Sequence, residues 1–371
     1  MKRTVKVILA LMICVCATLS FASCDYKFGH NYYDTLSYDD TTHWYDCTGI
    51  GCDSRKDVVE HELVDGYAVA DGVTYVGKVC TECEYTRVTT ETVVALDEDS
   101  FKDAVAEGGE IELGDDIVIS EALEIAEGVE VKLDLNGKTV RSNGDAQCVI
   151  MNNGTLVISG DGTLVSESTN AVRNFGELTI NGGTYTSEIS YAINNQGGSV
   201  TVNSATADSV GGIYTSQGSV VIEAGTFMAD DTSASYRKTL YADNSEVTIN
   251  GGTFYHYGNT SVIGSSGSSV VKVNGGEIIG GTGYVIEHFS GGTIEINDGS
   301  ITGIVRFINN GVTKITGGNI NFIKNGTYYN NGTITVSGGT YSGFDLSPYV
   351  ASGYEALDNG NGTWTVSPVE D

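Results

Sequence analysis

The sequence predicts an all-β protein built mainly as a right-handed parallel β-helix of about eleven coils, over residues 96–369. Three observations predict it. A short block ending in glycines recurs about every 22 residues, branched aliphatic residues hold the same place in each block, and the chain carries 49 Gly but only 2 Pro. That composition excludes collagen and proline-rich disorder and favours a stack of tight turns.

The blocks read LDLNGKTV ending at Val140, LTINGGTY at Tyr185, VTINGGTF at Phe254, VKVNGGEI at Ile278, IEINDGSI at Ile301 and ITVSGGTY at Tyr341. Anchored on the polar residue before the glycines, the repeat runs through Asn136, Ser159, Asn181, Asn203, Glu223, Asn250, Asn274, Asn297, Thr316 and Ser337. The residue before every anchor is a branched aliphatic, and the residue three before is Leu, Val or Ile except at Thr313, where the turn is expected to slip by one. Mostly polar residues lie between them, the alternation of a strand with one buried face. A third apolar column, four residues past the anchors, includes Tyr185, Phe227, Phe254, Ile278 and Tyr341. Each coil therefore reads as short strand, Asn-Gly turn, strand, Gly-Gly turn, strand. Asn residues at the first of these turns, such as Asn152 and Asn174, are expected to hydrogen-bond from coil to coil. Stacking at about 4.8 Å per coil predicts a prism roughly 50 Å tall.

Open ends of such a stack need covers. Residues 99–107 predict a short capping helix opening at Ser100-x-x-Asp103, and residues 359–366 predict a hairpin-like cap with Trp364 on the last coil.

The LDLNGKTV entry, the repeated INGGTY and the GYEALDNGNGTWTV exit resemble the pectate-lyase-like right-handed β-helix domains of exported bacterial proteins. The resemblance covers about three quarters of the chain and implies a fold that hosts lyases, hydrolases, adhesins and plain stalks. Catalytic relatives imply acidic Ca²⁺ ligands beside a base, or aspartates with His-Gly and Arg-x-Lys motifs. Here only Gly114-Asp115-Asp116 matches a fragment of the hydrolase pattern. The expectation is a non-catalytic adhesion or glycan-contacting scaffold. A polysaccharide lyase or glycoside hydrolase, and a passive structural stalk, are the alternatives.

Residues 1–23 read as an export signal: Lys2, Arg3 and Lys6, an apolar run from Val7 to Leu19, then small residues. Two endings fit. Ser20-Phe21-Ala22 suits cleavage and secretion, while Phe21-Ala22-Ser23-Cys24 resembles the lipobox of bacterial lipoproteins, with Cys24 lipidated and holding the protein on the cell surface. Membrane contact is expected through that anchor alone. Without the signal the formal charge moves from −29 to −32, which excludes nucleic acid as a partner. Clustered carboxylates could hold Ca²⁺, but no Asp-x-Asp-x-Asp-Gly loop is present. The oligomeric state is not legible.

Residues 24–95 differ in composition. Cys47 and Cys52, then Cys80 and Cys83, form two pairs joined by a strand-rich insert, which resembles a zinc ribbon with one closed four-sulfur structural Zn site. The same stretch also resembles a small Cys/His module of exported bacterial surface proteins. Disulfides are the competing reading. His30, His43 and His61 are expected at the surface or supporting the ligands, and Cys148 as a small buried apolar residue.

The longest coil, from Glu223 to Asn250, breaks the repeat. It contributes Asp230, Asp231, Tyr236, Arg237 and Lys238, and the next coil Tyr255, His256 and Tyr257. Acids, bases and rings at adjacent levels suit a carbohydrate or host-surface ligand, so these eight are the candidate binding residues. His288, after Glu287, is expected at the surface.

Overall fold

The computed structural model describes residues 30–230, 237–304, 311–322, 332–343 and 347–370. The chain divides into two units: residues up to 64 with 79–86, and residues 65–78 with 87 to the end. In the first unit, strands Tyr32–Tyr38, Thr42–Cys47 and Arg55–Glu60 form an antiparallel sheet.

The second unit is a parallel β-solenoid of about ten turns. Its first face stacks eleven parallel strands from Gly109–Leu113 to Thr333–Val336. A second face runs from Ile117–Ile119 to Thr340–Ser342, and a third, of eight strands among the described residues, from Leu123–Ile125 to Ile286–Ser290.

The predicted apolar columns are the walls of its core. Ile158, Ile180, Val202, Ile222, Ile249, Val273, Ile296, Ile315 and Val336 stand in register on the first face, all buried. Burying each such side chain contributes about 1.5–3 kcal/mol relative to exposure, once per rung. On the second face the column includes rings, with Phe227 and Phe254 stacked at 4.8 Å between centroids.

Two details of register differ from expectation. Asp134 rather than Asn136 stands level with Ser159, because a two-residue shift keeps the same faces inward and leaves the alternation unchanged. Thr313 does not mark a slip: it lies in register between Ile294 and Ile334, fully buried, with its hydroxyl 3.5 Å from His288 Nε2.

Polar ladders run parallel to the apolar ones. Buried Asn152 Nδ2 donates to Asn174 Oδ1 at 2.7 Å, Asn174 to Asn195 at 2.7 Å, and Asn195 to Thr215 Oγ1 at 3.0 Å. The anchor residues form an exposed second ladder, including Asn250 to Glu223 at 2.9 Å, Asn274 to Asn250 at 2.9 Å and Asn297 to Asn274 at 2.8 Å. Beside the buried Asn152–Asn174 ladder the coils approach so closely that a Cβ on Gly176 would lie 2.1 Å from the carbonyl oxygen of Gly154.

The lower end is closed by the helix Glu98–Glu107, which buries Phe101, Ala104 and Val105. It starts earlier than expected. Asp97 is the N-cap, accepting from the Ser100 N–H at 2.9 Å, while Ser100 Oγ accepts from the Asp97 N–H at 3.1 Å. At the upper end Thr363–Pro368 pairs antiparallel with Thr340–Ser342 and with Tyr354–Asp358, and Trp364 stacks on Tyr341 at 5.9 Å.

Candidate metal clusters and an aromatic groove

In the first unit, the hairpin of Thr42–Cys47 and Arg55–Glu60 decides which sulfur meets which imidazole. His43 pairs with Val59 at one end, which brings His61 alongside, whereas Asp46, next to Cys47, pairs with Arg55 at the other. Four strand steps separate His43 from Cys47, about 13 Å of chain. The cysteines are therefore sorted into two clusters, His43/His61/Cys80/Cys83 and His30/Cys47/Cys52, in place of the single four-sulfur site expected. The histidines, expected to be peripheral, are members of both.

The inner cluster is half buried and ordered by its neighbours. His61 Nε2–H donates to the Asp39 carbonyl at 2.7 Å, and the Tyr85 ring stacks on the imidazole at 4.2 Å. That orientation turns His61 Nδ1 toward His43 Nδ1 at 3.5 Å and Cys83 Sγ at 3.5 Å, with Cys80 Sγ 3.7 Å from His43 Nδ1. Burial opposes ionisation of Cys80, but the Glu82 N–H, His61 and the Cys83 N–H outweigh it and hold the thiol down at about 6. Such a thiol is ready to act as a thiolate ligand. In the outer cluster His30 Nδ1 lies 3.2 Å from Cys52 Sγ and 3.6 Å from Cys47 Sγ, and the Gly49 N–H donates to Cys47 Sγ at 3.4 Å. All described cysteines are unbridged.

In the solenoid, the candidates of the longest coil take different positions. Asp231 and Tyr236 lie outside the described residues, as does Cys24. Asp230 is exposed. His256 is fully buried, donating through Nε2 to the Arg237 carbonyl and accepting at Nδ1 from the Gly258 N–H, both at 2.9 Å. Both ring nitrogens are thus engaged in holding the coil. Lys238 is also buried, its ammonium donating to Thr260 Oγ1 at 3.3 Å and lying 3.9 Å from Glu287. Tyr255 and Tyr257 pack edge to face at 4.2 Å, with Tyr257 largely exposed.

Arg237 joins a different feature. On the outside of the third face, Tyr191, Tyr214 and Tyr241 form a row with centroids 5.4 and 5.6 Å apart. With Ser190, Asn194 and Arg237 they line an open groove of about 320 Å³. Tyr191 accepts from the Lys238 N–H at 3.3 Å and Tyr241 donates to Ser266 Oγ at 3.2 Å, so both rings are braced. Burial raises both phenols above their ordinary range. A repeat anchored on the Gly-Gly turn does not expose this row. The signal that could have found it is the outward column of the third strand, where Asn194, Tyr214 and Tyr241 share one register position.

Two remaining expectations are settled by burial. Cys148 is fully buried and its thiol is pushed up to about 11. His288, expected at the surface, points into the core, with Nδ1 2.6 Å from Ser265 Oγ; burial holds its imidazole down at about 4. The chain matches no protein-family model, no curated protein and no solved structure.

Proposed function

We propose that the protein is an exported bacterial surface protein whose β-solenoid is a non-catalytic, glycan-contacting scaffold, carried on the membrane by a lipidated Cys24 and bearing structural zinc in its Cys/His unit. The tyrosine row with Arg237 is the observation that carries the reading. Ring faces offer flat apolar surface to the C–H face of a sugar, while the guanidinium, the Asn194 amide and the Ser190 hydroxyl offer hydrogen bonds at its edge. The groove runs along the stack, which suits a linear glycan lying across several coils. Its lining supplies groups that bind rather than the paired carboxylates or carboxylate and base of acid–base chemistry. The acidic surface favours neutral glycans over uronate polymers.

A glycan array with the full exported chain tests this. Binding is expected, weakened about five- to tenfold by Tyr214→Ala or Tyr241→Ala, the equivalent of about 1–1.4 kcal/mol. Absence of binding to any glycan or host surface would leave the passive stalk. Release of unsaturated or reducing sugar ends from a polysaccharide panel would instead establish an enzyme. For the anchor, Cys24→Ser is expected to move the protein from the membrane fraction to the medium, and an unchanged distribution would reject lipidation.

A further inference from the structure

The Cys/His unit contains more ligand geometry than one zinc site uses. We propose that it holds two zinc ions: an inner ion bound by His43 Nδ1, His61 Nδ1, Cys80 Sγ and Cys83 Sγ, and an outer ion bound by His30 Nδ1, Cys47 Sγ and Cys52 Sγ. This rests on the reading of the unit as metal-bound and adds the number of ions, their ligand atoms and their unequal retention.

The inner site has the dimensions of a tetrahedron around zinc. Bonds of about 2.3 Å to sulfur and 2.0–2.1 Å to nitrogen place neighbouring N and S ligands about 3.6 Å apart and two N ligands about 3.3 Å apart. The His61–Cys83 and His43–Cys80 N···S distances are 3.5 and 3.7 Å, the N···N distance is 3.5 Å, and all four ligand atoms lie within 4.8 Å of one another. The hydrogen bond from His61 Nε2–H to the Asp39 carbonyl leaves the Nδ1 lone pair as the face turned toward the sulfurs and His43. Two imidazole nitrogens and two sulfurs converge here, and one cation among them would satisfy all four ligand atoms at once. A tetrahedral set of two nitrogens and two sulfurs selects zinc among common divalent ions.

The outer site repeats the chemistry with less protection. Its histidine is exposed and its sulfurs partly so, and three ligands come from the described residues. A closed four-ligand site exchanges its metal slowly, whereas a partly exposed three-ligand site yields it to competing ligands. The outer ion is therefore the labile one.

The test is elemental analysis of the full exported chain purified with zinc and reductant. Two zinc ions per chain are expected. His30→Ala should lose one ion and keep the other, and a chelator should remove that same ion at least tenfold faster than its partner. His43→Ala should lose the inner ion. Because that variant can also unfold the unit, cobalt replacement provides the second measurement. The ion retained in His30→Ala should give tetrahedral absorption with charge-transfer intensity for two thiolates. One zinc ion bound by all four cysteines, with four-thiolate cobalt intensity and no response to His30→Ala, would overturn the two-site assignment while keeping zinc. Oxidised cysteines without metal would overturn zinc altogether.

Discussion

His288 shows how a single side chain can carry a pH dependence into a β-solenoid. It sits in the core with Ser265 and Thr313 at its two ring nitrogens, and burial lowers its pKa from 6.5 to about 4. The unfolded chain therefore binds a proton on this residue at a higher pH than the folded chain. Stability is unaffected by it above pH 6.5, falls as pH drops from about 6.5 to about 4, and by pH 4 has lost on the order of 3 kcal/mol. Denaturant unfolding at pH 7 and pH 4.5 should show a smaller difference for His288→Gln than for the parent chain. Equal differences in the two proteins would mean that His288 ionises freely in the fold. A histidine three residues before the Gly291-Gly292 turn reads as a surface residue in sequence. Only the phase of the third-face strand, set by its pairing with the coil below, turns it inward.

At the level of the strand and turn, the coil-to-coil contacts matter more than the conformation of any one coil. Gly176 needs no unusual backbone geometry, yet a Cβ there would meet the Gly154 carbonyl at 2.1 Å and force the rungs apart beside the buried Asn152–Asn174–Asn195 ladder. Gly176→Ala is expected to destabilise the solenoid by about 2–4 kcal/mol, through strain and loosened buried hydrogen bonds. Gly197, with φ of +79° and open space around its Cβ position, should cost only about 1 kcal/mol on the same change. Thermal unfolding of the two variants decides it; a larger loss at Gly197 would show that turn conformation outweighs close approach. The Asn-Gly repeats made this ladder legible in advance, because a residue type recurring at one phase of a solenoid must stack upon itself. The tyrosine row was not legible by that route. Tyr191 belongs to the row without sharing the register position of Tyr214 and Tyr241, so no single column in the sequence collects all three rings.

Across the whole solenoid, each coil touches only the coils above and below, so stability is close to a sum of nearest-neighbour terms and the ends are where opening starts. The upper end depends on Trp364, stacked on Tyr341 and held by the antiparallel strand Thr363–Pro368. Trp364→Ala should speed amide exchange first in Thr340–Ser342 and Thr333–Val336 and leave the coils around Leu133 and Ile158 unchanged. Uniform acceleration along the stack would show that the solenoid opens as one cooperative body rather than from its end.

The amino-acid sequence alone determined the solenoid, because its three apolar columns and its turn residues recur at one period. Any chain with that pattern must bury those columns against copies of themselves. Local chemistry likewise set the lower cap to within one turn and the upper cap to its tryptophan. Which cysteine joins which histidine, and which tyrosines form a row, was decided only in three dimensions. Those contacts join residues 17 to 37 positions apart through hairpin register and strand phase, and a shift of one residue in either would have assembled different groups.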